Sequence, residues 1–194
     1  MSDYDYSVKV LLIGDDAEGK AYLANKFSKS YFETDYKCTI GVDFHVNTLR
    51  VLGKTVKMQL WELLSQERFR SLVPMYYRGA LGAIIIFDIS KSDFRYELDD
   101  TIQMIRERAG DIPIMLLTYK HHLEEIQAVS GVEVMLTADN YNGSSLAEIS
   151  LKPNQNPELI FNKLAEHIIE RCALLPPPRP VEHFFFEKKT PIDE

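Results

Sequence analysis

The segment Gly14-Asp15-Asp16-Ala17-Glu18-Gly19-Lys20-Ala21 spaces two glycines and a lysine as G-x-x-x-x-G-K. In a working loop of this kind, backbone N–H groups wrap the phosphates of a nucleotide and the lysine reaches the β and γ phosphates. The residue after the lysine is then a Ser or Thr whose hydroxyl ligates magnesium. Here it is Ala21, which has no oxygen to give. Asp16 and Glu18 also place carboxylates in the loop, where like charge opposes a polyphosphate. Spacing alone leaves two readings open: a phosphate loop, or a glycine turn that merely joins a strand to a helix.

Either reading needs a strand before the loop and a helix after it. Val8 to Ile13 is a nearly continuous apolar run ended by Gly14, as in a strand buried on both faces of a parallel sheet. Val42, Phe44 and Val46 alternate with polar residues, as do Val56, Met58 and Leu60, with Gly53 between the two segments. This predicts a hairpin with one buried face. Ala83 to Asp88 and Ile112 to Leu117 read as two more buried strands, and Phe94, Leu98, Ile102 and Ile105 lie on one face of a helix between them. Ser130 and Glu133 have the spacing of a helix capping box, with Gly143 able to end that helix. A last strand fits Ser145 to Ser150. A final helix begins after Pro157, with Phe161, Leu164, Ala165 and Ile168 on one face. The expected organisation is an N-terminal extension over residues 1–5, an α/β domain over 6–172, and a Pro-rich, aromatic, flexible tail over 173–194. The domain is expected to be three-layered, around a mostly parallel six-stranded sheet with one antiparallel strand.

Three further segments are more specific than the loop. These are Thr39-Ile40-Gly41-Val42-Asp43-Phe44, Trp61 to Phe69, and Tyr76-Tyr77-Arg78-Gly79-Ala80. With them, residues 6–172 resemble a Rab-type small GTPase of the Ras superfamily, nearly without gaps. The resemblance implies the P-loop small-GTPase fold, a guanine-nucleotide site with magnesium, and protein partners that read the two switch segments. On that face it points to Ile40, Gly41, Val42, Phe44, Trp61, Tyr76 and Tyr77.

The implied nucleotide contacts survive unevenly. The family's W-D-T-A-G-Q-E stands here as Trp61-Glu62-Leu63-Leu64-Ser65-Gln66-Glu67. Glu62 keeps the charge of the magnesium-orienting Asp but adds a methylene, and Ser65 restricts a backbone conformation that glycine adopts freely. The guanine-reading N-K-x-D stands as Tyr119-Lys120-His121-His122, and neutral His122 offers one acceptor where the Asp accepts two bonds. The S-A-K motif aligns with Ser150-Leu151-Lys152. Gly14, Gly19, Lys20, Thr39, Lys120, Ser150 and Lys152 remain as vestigial nucleotide contacts, with Phe32 as a purine-stacking aromatic. Gln66, which would position the attacking water in an active relative, is the vestige of catalysis. No working metal site is expected, because its ligands are lost or altered at Ala21 and Glu62, and Leu63, Leu64 and Leu151 are placed to fill the pocket. Adjacent His121 and His122 read as exposed loop residues rather than metal ligands.

The chain therefore reads as a Rab-like pseudo-GTPase: a protein-interaction module in membrane traffic or related regulation, with no significant GTP hydrolysis and no cofactor expected. The alternative is an atypical switch that holds GTP or GDP with magnesium weakly. With 22 Lys plus Arg against 29 Asp plus Glu in 194 residues, a net charge of −7 gives no general grip on nucleic acid or on an anionic membrane. Two cysteines, Cys38 and Cys172, build no disulfide framework and suit the cytoplasm, with recruitment to membranes through a partner. The end Thr190-Pro191-Ile192-Asp193-Glu194 carries no prenylation signal, so no lipid anchor is expected there. Pro177-Pro178-Arg179-Pro180 has the P-x-x-P spacing of a ligand for an SH3-like groove, or of a plain spacer.

Overall fold

A computed structural model describes residues 3–14, 17–28, 41–63, 73–88, 93–119, 144–148 and 158–174. Its six strands are β1 (Tyr6–Ile13), β2 (Val42–Val51), β3 (Lys54–Leu63), β4 (Gly82–Asp88), β5 (Ile114–Tyr119) and β6 (Ser144–Glu148). They form one sheet in the order β2-β3-β1-β4-β5-β6. Every pairing is parallel except the β2–β3 hairpin. Four helices are described: α1 (Ala17–Phe27), α2 (Val73–Tyr77), α3 (Phe94–Ala109) and α4 (Glu158–Leu174). The architecture is the expected α/β one. The helix expected after Ser130 and the tail beyond Leu174 lie outside the described residues.

The apolar run of β1 is continuous because both of its faces are covered. Val8, Val10 and Leu12 join a core with Leu23 and Phe27 of α1 and Phe161, Leu164 and Ile168 of α4. Leu11 points the other way, into a second core with Ile85, Phe87 and the α3 residues Phe94, Leu98, Ile102 and Ile105. The β2–β3 turn has φ of 51° at Leu52 and 72° at Gly53. Two consecutive residues with positive φ match the right-handed twist of the strands they join, which fixes the hairpin register. One strand starts later than expected. Pro113 has no N–H for a ladder, so β5 begins at Ile114, while the Pro113 carbonyl accepts from the Ala83 N–H at 3.0 Å.

At the end of β1 the chain passes very close to β4. Gly14 has φ of +144°, and a Cβ there would lie 2.0 Å from the Ile86 carbonyl oxygen. Glycine is thus required by packing whether or not the loop holds a phosphate. Gly14→Ala is expected to cost roughly 2 to 3 kcal/mol from backbone strain and overpacking. That corresponds to a melting temperature lower by about 4 to 12 °C, at 2 to 4 °C per kcal/mol. An unchanged denaturation midpoint would show instead that the two strands can spread at no cost.

Candidate functional site

Parallel pairing sets the C-terminal ends of β1, β3, β4, β5 and β6 along one sheet edge, where ligands of open α/β sheets bind. Gly14 follows β1, Tyr119 ends β5, and β6 ends at Glu148, two residues before Ser150. The fold thus leads the loop and both expected base-reading segments to one edge. Phe32, Thr39, Ile40, Gln66, Lys120, Ser150 and Lys152 themselves lie outside the described residues.

Gly19 and Lys20 sit in the first turns of α1, and both are buried. Lys20 is 1% exposed, and its Nζ donates to the Leu63 carbonyl oxygen at 2.7 Å. The bond ties the start of α1 to the last residue of β3, 43 positions on. A charged donor on a neutral carbonyl in a buried site is a strong hydrogen bond. Ala21, beside it, turns an exposed methyl outward.

Leu63 departs from its expected role. Its side chain is buried with Val42, Tyr77, Ala80 and Phe87 in the α3-side core, so it does not fill the space above the loop. What Leu63 presents to the loop lysine is backbone. Both faces of β3 are covered at this point, so Glu62 and Leu63 are both buried although they point to opposite sides of the sheet.

Glu62, 6% exposed, faces the α1 side of the hairpin, with Oε2 3.6 Å from His45 Nε2. His45 Nδ1 lies 2.9 Å from Ser28 Oγ, just beyond α1, and Asn47 Nδ2 donates to the Phe27 carbonyl at 2.7 Å. Asp43 stands opposite Glu62 in the ladder. Burial, then the charge of Glu62, pushes the Asp43 carboxyl above the usual carboxylate range, and His45 opposes that shift. The carboxylate at the magnesium-orienting position is therefore set beside an imidazole and a second carboxylate.

On the other face of the hairpin three aromatic rings run in series. Phe44 and Trp61 meet edge to face with centroids 5.4 Å apart, and Trp61 and Tyr76 follow at 6.1 Å. Phe44 is 51% exposed, whereas Trp61 and Tyr76 are half-buried. The Trp61 Nε1 is buried and has no acceptor among the described residues, an uncommon state for an indole N–H. Three of the residues expected on this face are corrected by their burial. Tyr77 is 2% exposed, burial pushes its hydroxyl up to about 12, and Gly41 and Val42 are also covered. In the short helix α2, Tyr76 points outward and Tyr77 inward, so only the first can touch a partner.

Lys9 belongs to this face and was not singled out by the sequence reading. Its Nζ lies 4.2 Å from the centroid of the Trp61 ring and donates to the Arg78 carbonyl at 3.0 Å. The available signal was alternation: Ser7 and Lys9 are the polar residues of β1 and share one face of the strand, between the buried Val8 and Val10.

A phosphate-loop spacing at the β1–α1 junction, on a parallel sheet with one antiparallel outer strand, defines an α/β domain of the P-loop class. Residues 9–170 match the Ras family. The chain is 37% identical over 174 residues to the Ras-related protein RABE1e of Arabidopsis thaliana, covering 89% of this chain and 79% of that one. It is also 37% identical over 174 residues to the Ras-related protein RAB1BV of Beta vulgaris, with coverage of 89% and 80%. The chain belongs to the Ras family of small GTPases, and its Rab-type members are the relatives it is similar to.

Proposed function

We propose that this chain is a Rab-type pseudo-GTPase, a protein-interaction module whose nucleotide site has been given over to structure. The observation that carries the reading is the buried bond from Lys20 to the Leu63 carbonyl. A nucleotide that used Lys20 would have to displace that bond, and the neighbouring groups give it little in return. Ala21 has no magnesium ligand, and Glu62 is longer than the Asp it replaces and lies beside His45. GTP with magnesium therefore does not fit the residues present. Replacing the guanine-reading Asp by His122 removes charge-assisted bonds worth about 1.5 to 3 kcal/mol each. Two such losses weaken affinity roughly a thousandfold, at about 1.4 kcal/mol per factor of ten.

Thermal unfolding tests the reading directly. A ligand of the native state adds RT ln(1 + [L]/Kd), about 2.7 kcal/mol at a hundredfold excess. In a domain of this size that raises the melting temperature by roughly 5 to 10 °C. We expect no change with EDTA, and no rise beyond repeat scatter with millimolar GDP or GTP and magnesium. A reproducible rise with guanine but not adenine nucleotide would establish the weak switch instead.

Partners would bind the face carrying Phe44, Trp61 and Tyr76, with Ile40 from the adjacent segment. Phe44→Asp is expected to weaken binding of the cellular partner by about 2 kcal/mol or more, roughly thirtyfold, as for an interface anchor. Unchanged capture by the folded variant would move the interface elsewhere. Among the described residues no helix is long and apolar enough to cross a membrane. We place the protein in the cytoplasm, recruited to membranes through its partner, with the Pro-rich 173–194 segment as a spacer or a second docking motif.

A further inference from the structure

We propose that the turn at the tip of the β2–β3 hairpin touches an anionic lipid surface and seats Leu52 among the headgroups. The proposal goes beyond the partner face and does not depend on the nucleotide reading. Among the described residues Leu52 is the only non-glycine with a positive φ, 51°, and it takes the first central position of a two-residue turn. Such turns favour Asn, Asp or Gly there, because a bulky L residue is strained in the left-handed region. The side chain is 58% exposed, so little packing among the described residues offsets that strain. Strain kept at an exposed apolar residue points to a use outside the chain.

The residues beside the turn select the surface. The Asp5 N–H donates to the Thr55 carbonyl at 2.8 Å, and the Asp5 carboxylate accepts from the Thr55 N–H at 2.7 Å. This pair of bonds holds the N-terminal segment against the start of β3 and brings Tyr4, 37% exposed, near the turn. Arg50, Lys54 and Lys57 surround the same end, with the Lys57 Nζ 5.4 Å from the centroid of the Tyr4 ring. The carboxylates flanking Tyr4 are Asp3 and Asp5, and Asp5 already lies 3.9 Å from the Lys54 Nζ. An apolar tip, an amphipathic ring and long basic side chains suit a headgroup layer: the leucine enters it, the ring lies at its boundary, and the basic stems reach back to phosphates. The whole chain, at −7, gains nothing from an anionic bilayer, so the contact is confined to this end. Both β1 and β3 begin here, whereas the loop before Lys20 follows the far end of β1, so lipid at the tip leaves the loop edge open.

Sedimentation of the full chain with vesicles tests the contact. The probes are vesicles of phosphatidylcholine alone and of phosphatidylcholine with about 30% phosphatidylserine, in about 100 mM salt. Three cations against two carboxylates leave one net positive charge at the tip, so binding to the anionic vesicles is expected to be roughly fivefold tighter. Leu52→Asn should lower that binding by about tenfold, the scale of a leucine withdrawn from the interface. The same variant should melt about 2 to 4 °C higher, because asparagine accepts the turn's backbone without the strain. A variant that folds better and binds worse separates the contact from damage to the fold. The proposal is overturned if the wild-type chain stays in the supernatant with anionic vesicles, binds both vesicles equally, or loses nothing on Leu52→Asn. A lower melting temperature for Leu52→Asn also overturns it, since Leu52 would then be serving the fold. So does a wild-type dimer that Leu52→Asn dissociates, which would give the tip to a second copy of the chain.

Discussion

Lys20→Ala is expected to lower the melting temperature by roughly 6 to 20 °C and to leave the response to guanine nucleotide where it was, at zero. The side chain is 1% exposed and holds the Leu63 carbonyl at 2.7 Å. Truncation opens a cavity along the aliphatic stem and strips a buried acceptor of its donor, together roughly 3 to 5 kcal/mol. At 2 to 4 °C per kcal/mol that gives the stated range. Lys20→Met separates the two contributions. It keeps the stem's volume and removes the charge, so it should retain most of the stability, because an apolar isostere also removes the cost of a buried cation. A lysine that worked on phosphate would behave differently: both variants would lose the same nucleotide-dependent stability, and would melt alike without nucleotide. That second pattern would refute the assignment of Lys20 to structure.

The second large effect is a gain. Ala21→Ser with Glu62→Asp, Ser65→Gly, Tyr119→Asn and His122→Asp should restore GDP binding, read as a rise of about 5 to 10 °C at a hundredfold excess over Kd. Ala21→Ser alone should stay without response, because it returns one magnesium ligand and leaves the base unread. The Lys20 tie limits the recovery. Its acceptor is a backbone carbonyl, present whatever side chain stands at position 63, so reversion at Leu63 would not release the lysine. The phosphates must outcompete it, and the five-site variant should bind GDP less tightly than a family member with an untied lysine. Tight binding by the single Ala21→Ser variant would show that the guanine-reading side is far less damaged than its residues imply.

The frame of the fold was legible because its signals are local. The β1 run ended by Gly14, the two alternating hairpin segments and the α3 stripe of Phe94, Leu98, Ile102 and Ile105 each announce one element and the faces it buries. The site was legible only as a set of residue types. Lys20 could be named from spacing, but its acceptor is a main-chain atom, which no side-chain pattern encodes. Tyr76 and Tyr77 are chemically identical neighbours, and only the packing of α2 decides which ring is outside. Leu63 reads as a pocket filler because it is apolar where the resembled family keeps a small or polar residue, whereas strand period 2 turns it to the Trp61 face, away from Leu60 and Glu62. For Lys9 the alternation with Ser7 marks a less buried face of β1, but the ring it lies over, Trp61, belongs to another strand and is named only by the packing.

The position of β2 has a further consequence. It is the outermost strand on its side, ten residues long, and its exposed face includes two large apolar residues, Phe44 and Val46. No described strand pairs with its outer side, and an edge of that length offers main-chain donors and acceptors to any other extended chain, the usual starting point of aggregation. Arg50 and the polar Thr48 act as gatekeepers toward the hairpin turn, while the Phe44 end has none on the same face. Aggregation of the free protein is therefore expected to start from the Phe44 half of this strand, on the same face that is proposed to receive a partner.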